Sequence, residues 1–327
     1  MKLLRRQFLH LAAGVAALPA ALQFAWAQAY PTQPVRVIVG FPAGQAADSL
    51  ARIVAQALSQ RLGQQFIVDN RPGAGGNIGT DVIVRSAPDG YTILMEVMTS
   101  NAINASLYPD LNFNFIRDIA PVAIIGGAAY VVAVNPSVPA NTLPEFIAYA
   151  KAHPGKINWS SAGLNSNPHV ALEMFKAATG IDVLHIPYKG QGPALTDLVA
   201  GQVDVTYASL LSSESYFKSG RVKILGISGP RRQTVIPNIP TFTEQGVPAA
   251  DSILWFGLVT AAGTPRAVVR KLNDGVNKAL QMPDVRKRFE QLGVLIEGGT
   301  PEKFGAFIRS EAKHMEPLIK SGALRAE

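Results

Sequence analysis

Residues 39–54 read VGFPAGQAADSLARIV, and this stretch decides the fold of the first structural unit. Apolar, β-favouring residues at 35–39 end at Gly40, and apolar residues recur at helical spacing from 50 to 58. The pattern predicts a strand, a loop with glycine and proline, and the start of a helix. Such a helix start has unpaired N–H groups and a partial positive charge that suit an anion, although an ordinary strand-to-helix connection has the same pattern.

The composition is that of a globular protein with a sizeable core. Of the 327 residues, 48% are hydrophobic and 16% are charged, which excludes a disordered chain and leaves room for two domains. The chain has no cysteine, so disulfides, thiolate chemistry and cysteine-ligated metals are excluded. The formal net charge is +7, but no long Lys/Arg run with interleaved aromatic residues occurs, which argues against a nucleic-acid partner.

The N-terminus has the pattern of an export signal. Arg5 and Arg6 precede an apolar stretch at 8–22 that is too short for a comfortable membrane span, and AWA at 25–27 fits a cleavage site. We therefore predict that residues 1–27 are a signal peptide, which would leave a mature chain with a net charge of +4. The paired arginines favour the twin-arginine route, with a general secretory signal as the alternative. The mature protein is expected to be soluble and periplasmic, and not embedded in the membrane.

Strand, small polar loop and helix alternate along the mature chain, and this order predicts mostly parallel sheets covered by helices on both faces. Beyond the opening unit, the predicted strands are 66–68, 91–94, 122–125, 130–134, 158–161, 183–186, 203–207, 223–227 and 255–259. The predicted helices are 80–86, 143–153 with Thr142 as N-cap, 169–179, 193–200, 264–280, 284–292 and 301–320.

Three strand-to-helix loops share a small, polar, glycine-bearing character: residues 41–48, 160–169 and 188–193. Ligands of open α/β sheets bind beyond the carboxyl ends of the strands, so three helix N-termini around one cleft would form a site rich in N–H donors. Phe41 and Tyr188 could line such a pocket or simply pack.

Catalytic and cofactor motifs are missing. The chain has no G-x-S-x-G elbow, no H-E-x-x-H pair and no Walker loop, and NRPGAGGNIG at 70–79 lacks the third glycine of a dinucleotide fingerprint. Asp48 and His169 lie at predicted helix starts, where capping or structural roles compete with acid–base roles. Lys189 could pair with an anion or be an ordinary exposed lysine. We predict no cofactor, no metal and no catalytic residue.

Several motifs together resemble one known family. VGFPAGQAAD, NRPGAGGNIG, WSSAGLNSNPHVALEMF, IPYKGQGPALTDLVAGQVDV and IPTFTEQG resemble, in this order, the extracytoplasmic receptors of tripartite tricarboxylate transporters, also called the Bug family. The resemblance runs from about residue 30 to the C-terminus. It implies a type II periplasmic binding protein with two α/β lobes, a hinge of two crossing strands and a small carboxylate in the cleft. We place lobe one at 28–128 plus 252–327 and lobe two at 129–251.

The resemblance also implies which groups contact the ligand. Backbone N–H groups and ordered water of the three loops would hold one ligand carboxylate, and a polar stretch after the 91–94 strand would line the same cleft. Two departures touch the cleft: Phe-Pro-Ala-Gly-Gln at 41–45 replaces the usual Phe-Pro-Pro-Gly-Gly, and Ala208-Ser209 replaces a frequent Asp-Asn. The expected ligand-binding residues are Phe41, Ala43, Gly44, Gln45, Asp48, Thr99, Asn101, Ser161, Ala162, Asn165, Ser166, His169, Tyr188, Lys189, Gly190 and Ala208.

The function implied is capture of a small organic carboxylate and its delivery to membrane permease subunits. The work would be done by binding and lobe closure in a monomer, not by an enzyme. A receptor that presents its closed form to a sensor kinase is one alternative, and a secreted α/β hydrolase is another.

Overall fold

The computed structural model describes residues 30–97, 111–322 and 324, and shows an α/β fold built on one mixed sheet. The predicted signal peptide, Thr99 and Asn101 lie outside these residues. The strands are β1 (Val35–Val39), β2 (Phe66–Asn70), β3 (Thr92–Val97), β4 (Ile119–Val134), β5 (Asn158–Ser161), β6 (Leu184–Pro187), β7 (Val205–Ser209), β8 (Lys223–Ile227), β9 (Ile253–Ala261) and β10 (Val294–Ile296).

Helices occupy most of the connections between these strands. They are α1 (Ala46–Leu62), α2 (Asn77–Val84), α3 (Phe115–Asp118), α4 (Leu143–Ala152), α5 (Asn167–Thr179), α6 (Gln191–Val199), α7 (Leu210–Lys218), α8 (Arg266–Ala279), α9 (Pro283–Gln291) and α10 (Pro301–Lys320), with short 3₁₀ turns at Ala74–Gly76 and Pro248–Ala250. The predicted cap at Thr142 is confirmed, because its side chain accepts a hydrogen bond from the Glu145 N–H. None of the helices within the described ranges is long and apolar enough to cross a lipid bilayer.

The sheet is mixed, whereas the alternation of elements predicted mostly parallel pairing. The strand order is β2-β1-β3-β9-β4-β7-β5-β6, with β8 and β10 also paired to β4. The pairs β1–β2, β1–β3, β5–β6 and β5–β7 are parallel, as expected for strands joined through helices. Pairs that involve β4 or β9 are antiparallel. β4 and β9 connect the parallel strands β1–β3 with the parallel strands β5–β7. The local sequence pattern could not indicate this antiparallel connection.

β4 is one strand of 16 residues, and the prediction of two strands at 122–125 and 130–134 is therefore wrong. The chain stays extended through Gly126 and Gly127, with register shifts beside Pro121 and Ile124. Through Ala129, β4 pairs with β9, and from Tyr130 onward it pairs with β7 and β8. We call the strands β1–β3, β9, β10 and the first part of β4 lobe one, and β5–β8 with the last part of β4 lobe two.

Both faces of the sheet are covered, because alternate residues of a strand point to opposite sides. In β1, Val37 and Val39 are buried with Leu50 and other apolar residues of α1. Ile38, between them, is buried with Ile83 of α2 on the other face. The alternation of elements predicted this arrangement correctly.

The last helix contacts both lobes. Phe304 and Ile308 of α10 are buried in the lobe one core, whereas Met315 is buried against Val170 and Met174 of α5 in lobe two. A cavity of about 240 Å³ lies beside this contact and is lined by Met174, Asp251, Ser252, Ile253, Trp255, Glu311 and Met315. α10 is thus a non-covalent connection between the lobes, in addition to the strands that cross between them.

Candidate ligand-binding site

The carboxyl ends of the strands in the two lobes face each other. β1 and β3 run in the same direction as β4, whereas β5, β6 and β7 run opposite to it. The last residue of β3, Val97, is level with Gly126 of β4 across β9, and the last residue of β7, Ser209, pairs with Tyr130. The loops that follow β1, β5 and β6 therefore lie at the two edges that meet where β4 crosses between the lobes, which is where α/β folds bind ligands.

In lobe one, the carboxylate of Asp48 holds the loop that follows β1. Its Oδ2 accepts hydrogen bonds from the Gly44 N–H at 2.9 Å and from Arg52 Nε at 3.0 Å. Its Oδ1 accepts from Asn70 Nδ2 at 3.0 Å, and the same amide donates to the Phe41 carbonyl at 3.0 Å. Burial alone would raise the pKa of Asp48, but the hydrogen bonds from Arg52, Gly44 and Asn70 hold that pKa below its ordinary value. Asp48 is a charged, fully engaged group that shapes the loop.

The same loop leaves several donors accessible. Ala43, Gly44 and Gln45 are exposed, and Phe41 is half-buried against the lobe one core. The Gln45 side chain does not cap α1. The N–H groups of the first helical turn have no acceptor within the helix, so they are placed to bind an anion.

The two loops of lobe two form one surface, because β5 and β6 are neighbours in the sheet. The Tyr188 N–H donates to the Ser161 carbonyl at 3.0 Å, and the Gly190 N–H donates to the Ala162 carbonyl at 3.1 Å. α5 and α6 begin directly after these loops, so two further helix N-termini lie side by side here.

Two imidazoles lie against this surface, that of the buried His169 and that of the half-buried His185. The rings of His169 and His185 stack with centroids 4.0 Å apart and planes 6° from parallel. His169 Nδ1 accepts the Asn165 N–H at 3.0 Å, and His185 Nε2 lies 2.7 Å from Ser161 Oγ. Burial lowers the pKa of His169 to about 3 and that of His185 to about 4, with smaller contributions from the positive charge of Lys176. Both rings are therefore neutral at neutral pH.

The side chain of Tyr188 is fixed by a hydrogen bond within lobe two. Its hydroxyl donates to Asp197 Oδ2 at 2.7 Å, and burial together with this neighbouring carboxylate raises the pKa of Tyr188 to about 12. The hydroxyl is thus engaged, while the half-buried ring can still contact a ligand. Lys189 beside it is exposed and has no ion pair with another described residue.

The predicted site residues fall into three groups. Phe41, Ala43, Gly44, Gln45, Ala162, Asn165, Ser166, Tyr188, Lys189 and Gly190 lie in the loops with exposed or half-buried side chains. Asp48, Ser161 and His169 are buried, and their polar side-chain atoms bind the loops themselves. The methyl group of Ala208, which lies within β7, is completely buried in the lobe two core.

Sequence reasoning missed the partners that hold the loops: Asn70, Arg52, His185 and Asp197. Asn70 and His185 act on residues 22 and 24 positions away, and nothing in the local pattern indicated these pairings. Arg52 lies one helical turn after Asp48, a spacing that favours an ion pair on a helix and could have indicated this contact. Ser161 and His185 have the residue types of a nucleophile and its base, but Ser161 is completely buried and out of reach of a substrate. Within residues 30–97, 111–322 and 324, no three His, Asp or Glu side chains cluster as a metal site requires. The arrangement is suited to binding.

Comparisons with known proteins agree with this geometry. The profile of the tripartite tricarboxylate transporter family receptor matches residues 50–324. Protein BugT of Bordetella pertussis (strain Tohama I) is 35% identical over 295 residues, which are 90% of this chain and 90% of that protein. Two solved structures are similar to this one. R. palustris Rpa4515 with adipate is 30% identical, has a TM-score of 0.81 and is matched over 90% of this chain and 99% of that chain. MatC from Rhodopseudomonas palustris with bound malate is 30% identical, has a TM-score of 0.77 and is matched over 89% of this chain and 100% of that chain.

The likeness to solved periplasmic binding proteins confirms the predicted α/β, two-lobed fold class. The family is one of receptors, which agrees with the prediction that the chain binds a solute rather than converting a substrate. The profile match and the identity to BugT both extend over most of the chain. The chain belongs to the tripartite tricarboxylate transporter receptor family.

Proposed function

We propose that this receptor captures a small organic carboxylate between its lobes and delivers it to membrane permease subunits. The observation that carries the proposal is the meeting of three loops, rich in N–H donors and each followed by a helix, at the facing edges of the two lobes. Charge-assisted hydrogen bonds from such donors contribute about 1.5–3 kcal/mol each. The similar structures with adipate and malate support a carboxylate as the ligand.

We propose further that the ligand lacks an ammonium group. Residues 41–48, 160–169 and 188–193 contain a single carboxylate, Asp48, and its oxygens already accept bonds from Gly44, Arg52 and Asn70. An ammonium group buried in this cleft without a partner would cost several kcal/mol. Phe41 and Tyr188 would then flank the carbon skeleton.

Calorimetry with matched ligands tests this function. We expect succinate, malate, glutarate, adipate or a benzoate-type acid to bind, and each acid to bind about 100-fold or more tightly than its aminated analogue, as in succinate against aspartate and glutarate against glutamate. Neutral succinamide is the control and should not bind. If the amino acid of each pair bound more tightly, the ligand class would be wrong. If succinamide bound as well as succinate, recognition of a carboxylate would be refuted.

We propose that the lobes move as bodies with the boundaries predicted from the sequence, 28–128 plus 252–327 and 129–251. The change of partners between Ala129 and Tyr130 in β4 supports the first boundary. Near the second boundary, Asp251 Oδ1 accepts the Gly229 N–H at 2.8 Å, and Ile253 begins the pairing of β9 with Ala129. A ligand that contacts both lobes would favour the closed arrangement.

We also propose that the receptor works as a monomer in the periplasm after export by the twin-arginine route. Arg5-Arg6-Gln7-Phe8-Leu9 and the short apolar stretch support this route, and the periplasmic location is that of the family. Changing Arg5 and Arg6 to lysine should leave the precursor in the cytoplasm. Normal maturation of this variant would favour general secretion over the twin-arginine route.

A further inference from the structure

The loop between β5 and α5 is attached to two stacked imidazoles. Within this loop, the Asn165 N–H bonds His169 Nδ1 at 3.0 Å, and Ser161 Oγ lies 2.7 Å from His185 Nε2. The two histidine rings are stacked, with their centroids 4.0 Å apart, so each ring supports the position of the other. The two attachments lie at opposite ends of the segment 161–165, which borders the proposed ligand.

His169 Nδ1 acts as a hydrogen-bond acceptor. A backbone N–H can only donate, so His169 Nδ1 carries no proton. The Gly163 carbonyl already accepts from Ser166 Oγ at 2.6 Å and from the Ser166 N–H at 3.3 Å, and a carbonyl oxygen has two lone pairs. Ser161 Oγ accepts the Gly163 N–H at 3.2 Å, and it lies 3.0 Å from that carbonyl oxygen and 2.7 Å from His185 Nε2. Because the carbonyl oxygen already has two donors, we assign the single hydroxyl proton of Ser161 to the shorter contact, the one with the histidine.

The loop has one residue in an uncommon backbone conformation. Asn165 has a φ of 54°, in the left-handed region that asparagine adopts more readily than other residues with a side chain. A residue in this conformation persists only when surrounding contacts hold it there. Its own N–H is the group that His169 accepts.

We propose that the His169–His185 pair is a positioning device that holds the lobe two ligand loop in its binding conformation, and that both rings must be neutral to do so. The pair does not touch the ligand; it keeps the N–H groups of 162–166 in place for the ligand carboxylate. This inference rests on the proposed function for its role in binding, whereas the state of the rings can be measured without any ligand.

The charges near the pair favour the neutral state. Glu173 Oε1 lies 3.9 Å from His169 Nε2 and 3.0 Å from Lys176 Nζ, so the lysine compensates the carboxylate. Burial and the Lys176 charge hold the pKa of both histidines below the ordinary 6.5, to about 3 and about 4. The unfolded chain therefore binds protons between pH 6.5 and 4 that the native protein does not bind, and stability must fall as the pH falls through this window.

Two substitutions at each histidine distinguish the effect of the hydrogen-bond acceptor from the effect of the size of the ring. His169→Asn keeps an acceptor at the position of Nδ1 and His185→Gln keeps one at Nε2, whereas His169→Phe and His185→Phe keep the rings without the acceptors. With malate and adipate as calorimetric probes, we expect each Phe variant to bind about tenfold or more weakly and each amide variant to stay within about threefold of wild type. The Phe variants should also lose part of the pH dependence of stability between pH 6.5 and 4.

Nitrogen NMR of the unliganded wild-type protein keeps the inference testable if a variant fails to fold. An unprotonated Nδ1 in His169 and an unprotonated Nε2 in His185 at pH 7 are expected. A proton on either of these atoms would overturn the proposal, as would Phe variants that bind malate and adipate like wild type. If wild type bound neither acid, the proposed function would fail while the NMR result still decided the state of the pair.

Discussion

An Asp48→Ala receptor should lose about 2–4 kcal/mol of unfolding free energy and bind its carboxylate at least about tenfold more weakly. The substitution removes the acceptor of the Gly44 N–H and one of the two acceptors of the Asn70 amide, which keeps its bond to the Phe41 carbonyl. The part of the effect due to Arg52 is small, because that guanidinium is half exposed and can be solvated by water. Loss of these bonds frees the loop after β1, so affinity falls together with stability.

Urea denaturation and calorimetry measure the two effects of Asp48→Ala. Asp48→Asn keeps the shape and one acceptor, and should show about half of the loss. Asp81→Ala is the matched control, because Asp81 forms an exposed pair with Arg85 one helical turn away and should cost less than about 1 kcal/mol. If Asp48→Ala behaved like Asp81→Ala in both assays, Asp48 would not hold the loop.

Gly79→Ala should cost about 2–3 kcal/mol of unfolding free energy and also weaken ligand binding. A Cβ atom at Gly79 would lie 2.8 Å from Gly40 Cα and 3.1 Å from its nitrogen. These are backbone atoms of the strand end that leads into the loop after β1, so they cannot move aside without moving the loop. The glycine-rich stretch at 70–79 therefore permits close contact between α2 and β1 as well as a turn.

Gly192→Ala is the control for this substitution. Gly192 lies in α6, where a Cβ atom would meet no heavy atom within 4 Å and φ is not positive, so alanine there should stabilise the helix by about 0.5–1 kcal/mol. Denaturant midpoints of the two variants should move in opposite directions. A Gly79→Ala protein with unchanged stability would show that the contact between α2 and β1 can relax.

Elements with strong local signals could be predicted from the sequence. Strands at 35–39, 158–161 and 223–227 and the helix at 301–320 have the predicted bounds, because their apolar period and turn residues are local. The three loops could be located for the same reason. The short strand β10 and the serine-rich helix α7 were not predicted, because three residues or a polar helix give too little periodic signal.

The contacts that shape the candidate site could not be predicted, because strand pairing brings their partners together from distant parts of the chain. Asp48 and Asn70 meet only because β1 and β2 are adjacent, and His169 and His185 meet only because β5 and β6 are. The sequence showed His185 only as a residue within a predicted strand. Ala208 was expected at the cleft from the family resemblance, and β7 extends through it to Ser209.

Small-angle scattering of the mature protein, with and without the acid that calorimetry shows to bind, tests whether the two lobes close on a carboxylate. A carboxylate held between the lobes should close them and reduce the radius of gyration, with succinamide as a control that leaves the profile unchanged. We expect this compaction at saturating ligand. An identical profile at a concentration where calorimetry demonstrates saturation would contradict it.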